Sequence, residues 1–274
     1  VLAMRIDQST KLAATTFLRC LAGISAERQY LDEHTPEDGE VNKALKAEAV
    51  AYAAQFATTD AMIRVFYEVS DVKAADVQAD YYAASSIIDT ETGEELIHVG
   101  RLLGEEGAEA IRSSSLDTVR VIVNPSDSLI LNTVAEEKLD LFEQVETEYE
   151  KSLLRVYSKL RPGNPPQVEK ARQLFLEKFY DANRYRLGRV GRFRINRKFG
   201  LDMPEDLMFL SAEDFLRVIQ YLLDLRSNRI DPETERPIAQ IDDIDHLGNR
   251  RVRTVGELIE DRFYHGLERL ARSV

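Results

Sequence analysis

The chain has 274 residues, 44% apolar and 31% charged, with 36 Lys and Arg against 48 Asp and Glu for a net charge of −12. That length buries one large core or two modest ones, which excludes a peptide hormone or a mini-protein dependent on staples. The single cysteine, Cys20, excludes a disulfide framework and a multi-cysteine zinc site and fits a reducing compartment, and no apolar stretch approaches the roughly 18–20 residues of a membrane span.

The opening Val1-Leu-Ala-Met-Arg-Ile-Asp7 has no initiator methionine, basic leader or signal-like core, which favours a piece cut from a longer protein. Apolar residues at near-helical spacing from Lys11 to Leu21 predict a helix that stops at Gly23, with Ser25-Ala-Glu-Arg28 capping a short successor. Leu31 to Glu40, acidic and containing Pro36 and Asp38-Gly39, reads as an exposed loop before an Ala-rich helix from about Val41 to Phe56. Ile63 to Val69 alternates partly and reads as a strand, although its length leaves a helix open. Asp89-Thr-Glu-Thr-Gly-Glu94 is a turn between Ser86-Ile-Ile88 and Leu96-Ile-His98, hence a hairpin. Thr118 to Val123, closed by Asn124-Pro125, is the strongest strand, and these elements place a small α+β unit at roughly 60–128.

A helix follows from about Glu148 to Leu160, with Leu153, Leu154, Tyr157 and Leu160 on one face. Arg161-Pro-Gly-Asn-Pro-Pro166 breaks it, and Pro166 opens the next helix, about 166–180, striped by Val168, Ala171, Leu174, Phe175 and Phe179. Ser211-Ala-Glu-Asp214 is a near-match to a capping box, before Phe215, Val218, Ile219, Leu222 and Leu223 at helical spacing, and Thr254-Val-Gly-Glu257 opens another helix to about Ala271. The expected class is α+β: a helix-rich lobe with small antiparallel β elements and an inserted α+β subregion.

Charge divides unevenly. Residues 1–150 carry 12 basic and 29 acidic side chains, net −17, and residues 151–274 carry 24 and 19, net +5. Local field rather than total charge steers a polyanion. The run Arg184 to Lys198 holds seven basic residues and no acid; its Arg184, Arg189, Arg192, Arg194 and Arg197 are candidate phosphate contacts, with Tyr185 and Phe193 interleaved and Gly188 and Gly191 permitting close approach. A solvated face balancing the acidic half is the competing reading. The glycines do not form a Gly-x-Gly-x-x-Gly fingerprint, so a nucleotide cradle is not expected.

Asp242-Asp-Ile-Asp-His-Leu-Gly-Asn-Arg-Arg251 packs three carboxylates, an imidazole and two guanidiniums, Arg250 and Arg251, into ten residues. Asp242, Asp243, Asp245 and His246 offer oxygen and nitrogen ligands, but their spacing matches no EF-hand or zinc helix. The same residues suit a loop braced by its own polar side chains, or a site where a carboxylate accepts from an unstacked guanine while arginines hold phosphate. Composition does not choose among the three. His34, His98 and His265 stand alone, His246 suits a bracing role, and Cys20 sits on an apolar face where a buried, inert thiol is expected.

The segment Asp242 to Leu258 resembles the hallmark of the β subunit of bacterial RNA polymerase. Leu160-Arg-Pro-Gly-Asn-Pro-Pro166 resembles that family's Arg-Pro-Gly-Glu-Pro-Pro turn, and Asn183-Arg-Tyr-Arg-Leu-Gly-Arg-Val-Gly-Arg192 its Arg-Tyr-Asp-Leu-Gly-x-Val-Gly-Arg block. Met4-Arg-Ile-Asp7 with Lys11-Leu12 and Phe17-Leu-Arg19 resembles its Arg-Ile-Asp-Arg-Arg-Arg-Lys segment and following helix. The likeness is specific over about 148–258, fair over 4–22 and loose over 28–147, where it centres on Asp89 to Glu94. Gln8-Ser9-Thr10 replaces a basic triplet, Arg186 replaces an Asp, and the sequence after Leu258 drifts.

The resemblance implies a β-lobe core at 1–27 and 129–240, a lineage-variable insertion at 28–128, and a hallmark loop and helix at 241–274 leading into the protrusion. It implies a DNA-cleft module of a nucleotidyltransferase, beside downstream duplex and the displaced non-template strand. Asp245 and Arg250 would line a pocket for a non-template guanine. Its implied partners are DNA and the other polymerase subunits, namely β′, α, the rest of β and sigma factor. Its implied location is the bacterial cytoplasm and nucleoid, with no membrane. No nucleophile–base pair is evident, no cofactor or metal is expected here, and Mg²⁺ is expected in β′, so the segment alone is expected to be non-catalytic. A contrasting reading is a scaffold whose acidic first half docks transcription factors with little DNA contact.

Overall fold

The computed structural model describes residues 1–35, 43–137, 139, 141, 142, 144–232 and 234–273. They divide into two compact units, Val1–Ser227 and Asn228–Val274. The first begins with strands β1 (Ala3–Arg5) and β2 (Lys11–Ala13), then helices α1 (Ala14–His34), α2 (Lys43–Phe56) and α3 (Thr59–Phe66). There follow β3 (Ser70–Lys73), β4 (Tyr82–Ala83), β5 (Ile87–Ile88), β6 (Glu95–Ile97), α4 (Gly104–Ser113), β7 (Thr118–Ile122) and α5 (Leu129–Ala135). Helices α6 (Glu148–Leu160), α7 (Val168–Phe179), α8 (Arg189–Phe199) and α9 (Ala212–Ser227) complete it, and the second unit contains α10 (Val255–Ser273). The described residues thus form an α+β fold, mostly helical, with three small antiparallel sheets ordered β1-β2, β3-β7-β4 and β5-β6.

Helix α1 is the axis of the first unit. Its Phe17, Cys20, Leu21 and Ile24 pack with Tyr149, Leu153 and Phe175 of α6 and α7, the Phe17 ring lying 5.3, 5.0 and 5.1 Å from those of Phe175, Phe179 and Phe215. Its opposite side joins Leu18 to Met62, Ile63, Ile130, Leu131 and Ile219. A third cluster, including Ala83, Leu103, Ile111, Val119 and Val121, fills the space between the three-stranded sheet and α4.

The helix expected to end at Gly23 continues through it to His34, and Lys11–Ala13 pairs as a strand instead of opening it. A Cβ on Gly23 would collide with the fully buried Tyr149 ring. Glycine here is a close-packing device, and the helix propensity it forgoes, about 1 kcal/mol against Ala, is outweighed by the aromatic burial it permits. Ile63 to Phe66 belong to α3 rather than a strand. The Thr58 hydroxyl accepts from the Ala61 amide at 3.1 Å and Asp60 sits in the first turn, so cap and dipole both favour the helix.

Several other local signals correspond to the elements found, although α7 starts at Val168 with Gln167 as its cap rather than at Pro166. Helix α6 spans Glu148–Leu160, its Thr147 hydroxyl donating to the Glu150 carboxylate at 2.7 Å and accepting from the Glu150 amide at 3.3 Å. The β5–β6 hairpin brackets the Asp89–Glu94 turn, where Gly93 adopts φ +70°, and β7 is the central strand of its sheet. Of the loop expected at 31–40, Leu31 to His34 are the end of α1, whereas Pro36 and Asp38-Gly39 lie outside the described residues, as does Val41. Residues 27 and 28, where the implied lobe core meets the insertion, lie within α1, and the boundary between compact units falls at Ser227.

Buried charge is paired. Arg19 of α1 meets Glu137 at 2.6 Å, and the hydroxyls of Thr15 and Thr16 donate to the other oxygen at 2.5 and 2.6 Å. Glu27 of α1 pairs with Arg172 of α7 and accepts from the Tyr149 hydroxyl at 3.1 Å. Both networks tie α1 to its neighbours at the cores.

Candidate nucleic-acid interface

The basic run forms a short loop and then α8, flanked by Gly188 at its N-cap and Gly200 at its C-cap, whose φ of +63° is the left-handed conformation that closes a helix. Residues four apart stack along one face of a helix. Arg189, Phe193 and Arg197 therefore make one row, and Val190 and Arg194 the next. Every member of these rows is exposed.

Arg192 was expected to face phosphate, and the structure corrects this. It lies on the opposite face of α8 and is fully buried. Its Nη1 donates to the Asp214 carboxylate at 2.8 and 2.9 Å and its Nη2 to the Phe209 carbonyl at 2.5 Å. Asp214 also accepts from the Ser211 amide at 2.7 Å and hydroxyl at 3.0 Å, while the Ser211 hydroxyl receives the Asp214 amide at 3.3 Å. The near-capping box of α9 is thus formed, and Arg192 fastens α8 to it.

Arg184 stands apart from α8. Exposed and 3.7 Å from the Glu177 carboxylate, it lines a groove of about 460 Å³ with Arg5, Lys178, Tyr185, Phe179 and Phe215. Arg5 and Lys178 were not singled out from the sequence. Arg5 lies within the Met4-Arg-Ile-Asp7 block, but nothing local marks Lys178, which α7 brings to the groove through tertiary packing. Tyr185 is half-buried and burial raises its phenol pKa, so of the two aromatics in the run only Phe193 is open.

Where the family resemblance calls for a basic triplet, Gln8-Ser9-Thr10 closes the β1–β2 turn. Asp7 accepts from the Thr10 amide at 2.7 Å and the Ser9 amide at 3.1 Å. Hydrogen bonding from Thr10 holds its carboxyl below the ordinary carboxylate range.

In the second unit, residues 241–254 are exposed throughout. The loop is shaped by its own polar groups: Asp243 accepts from the Asp245 amide at 3.0 Å, the Asn249 side chain donates to the Asp243 carbonyl at 2.8 Å, and His246 Nδ1 accepts from the Gly248 amide at 3.0 Å. Arg251 reaches the Glu257 carboxylate at 2.5 Å and Arg253 approaches the same oxygen at 3.4 Å. The Asp245 carboxylate and the Arg250 guanidinium have no side-chain partner among the described residues. No cluster of three or more potential metal-ligating His, Cys, Asp or Glu occurs among the described residues. Cys20 is fully buried, and burial pushes its thiol pKa far up, which keeps it protonated and unreactive.

Residues 113–253, slightly more than half the chain, match the family described as RNA polymerase Rpb2, domain 2, and the chain belongs to that family. Over its whole length it is 36% identical to the DNA-directed RNA polymerase subunit beta of Rhodopirellula baltica and 34% identical to that of Syntrophotalea carbinolica. Over 70% of its length it is 39% identical to that of Sorangium cellulosum. The chain spans 19%, 21% and 13% of those relatives. The matched region contains α6 to α9 and the hallmark loop.

Proposed function

We propose that this segment is a DNA-cleft module of an RNA polymerase β subunit, contacting downstream and non-template DNA while the nucleotidyl transfer occurs elsewhere in the enzyme. In this reading Asp245 and Arg250 form a pocket for an unpaired guanine. The supporting observation is that Asp243, His246 and Asn249 shape the loop, whereas the Asp245 carboxylate and the Arg250 guanidinium are exposed and have no side-chain partner among the described residues. Guanine offers N1–H and N2–H₂ to the two oxygens of a carboxylate, whereas adenine presents an acceptor at N1. A guanidinium beside the carboxylate suits the base's acceptor edge or its phosphate. Within the first unit, the exposed arginines of α8 are separate candidate contacts for phosphate.

The test is equilibrium binding of single strands with a central guanine or adenine to the full chain, and to polymerase assembled with it, across a salt series. Asp245→Ala is expected to reduce the guanine preference by about five- to a hundredfold, the range of one bidentate base contact. Equal losses for the guanine and adenine strands would reject the pocket. Absence of salt-sensitive binding in the assembled enzyme would instead favour a protein-docking scaffold.

A further inference from the structure

The exposed face of α8 combines features that packing of the chain does not use. Phe193 is 51% exposed and Val190 72%, although apolar side chains of a surface helix ordinarily turn inward. Phe193 lies midway along a row between Arg189 and Arg197, each about 6 Å away along the axis. Arg194 occupies the adjoining row. No acidic residue occurs from Arg184 to Lys198, and neither Arg189 nor Arg197 has a side-chain partner among the described residues. The buried arginine of α8, Arg192, holds the helix against α9, so this face is presented on a fixed support.

We infer that Phe193 is a stacking platform for one unpaired base of a single strand, with Arg189 and Arg197 on the flanking phosphates. This deepens the nucleic-acid reading above and rests on it. Every base has a π-face, so the contact is independent of sequence and distinct from guanine selection by Asp245. An aromatic ring between cations is the composition that single-strand binders use: the ring takes the base and the cations follow the backbone. A protein partner would also accept an apolar spot ringed by arginines; the absence of acidic residues from the whole run favours the polyanion.

The experiment measures binding of the full chain to an oligothymidylate carrying one 2-aminopurine, to the same strand without it, and to the corresponding duplex. Phe193→Ala is expected to weaken single-strand binding about five- to a hundredfold with the salt slope unchanged. Phe193→Tyr should restore it, Phe193→Leu should not, and duplex binding should stay as it was. Arg189→Ala and Arg197→Ala should each lower the single-strand salt slope by about 0.7. Wild-type affinity in Phe193→Ala, or full rescue by leucine, overturns the stacking role, as does a loss confined to assembly with other polymerase subunits, which marks the face as a protein dock. If the wild-type chain and its assembled polymerase bind no strand at any salt, the wider DNA reading fails with this one. If the chain binds and selects guanine through Asp245 while Phe193→Ala changes nothing, only the stacking role fails.

Discussion

At the scale of the residue, the decisive distinction is between arginines that are chemically alike and structurally opposite. Arg192 and Arg197 sit in one acid-free run, yet Arg192 is enclosed with Asp214 and Arg197 is open to solvent. Removing one member of a buried ion pair leaves the other charge unpaired, at a cost of about 3–5 kcal/mol. Asp214→Ala should therefore lower the urea midpoint of unfolding sharply, and replacing both Arg192 and Asp214 by leucine should recover much of the loss. Arg197→Ala should shift stability by no more than about 0.5 kcal/mol and act on nucleic-acid binding instead. Equal stability losses in Asp214→Ala and Arg197→Ala would contradict this division. The run was legible as basic from sequence; the inward turn of Arg192 was not, because it depends on where α9 places Asp214, 22 positions away. Asp245 and Arg250 were named through the family resemblance, and their unengaged state among the described residues emerges only when the loop's internal hydrogen bonds are assigned.

At the scale of the element, signals contained within a few residues were readable. The Thr147–Glu150 box, the proline-rich break after Leu160 and the Asp89–Glu94 turn each determine local geometry without distant help. Readings failed where a distant group reverses a local preference. Gly23 has the identity of a terminator, but the Tyr149 ring occupying its missing side chain makes it a continuation. The same contact yields a prediction opposed to propensity. By propensity alone Gly23→Ala would stabilise α1 by about 1 kcal/mol. Because the new methyl would meet a fully buried ring in a close-packed core, overpacking of about 1–3 kcal/mol should prevail, giving a net loss in chemical denaturation. A rise in stability would show that the Tyr149 ring moves aside without cost. Phenylalanine would keep the ring atoms that clash, but Tyr149→Leu combined with Gly23→Ala should lose less than the sum of the single changes, since residues in contact couple.

At the scale of the whole molecule, salt should act in opposite directions on folding and on binding. The first 150 residues carry net −17, and this excess is spread over the surface, where charges are readily screened. The two most buried attractive pairs, Arg19 with Glu137 and Arg192 with Asp214, have side chains at most 4% exposed and are screened far less. Moderate salt therefore weakens surface repulsion more than it weakens the internal pairs, and the thermal midpoint of the chain should rise as salt is added and then level off. A simple screening salt such as sodium chloride isolates this effect from the exclusion that strengthens apolar burial in sulfate. Binding to a single strand should meanwhile fall steadily, with a slope of about −0.7 in log affinity per phosphate contact. The two curves, taken on the same sample, separate the acidic body from the basic face of α8: a midpoint that falls with salt would show that exposed ion pairs dominate the fold, and an affinity insensitive to salt would remove phosphate from the interface.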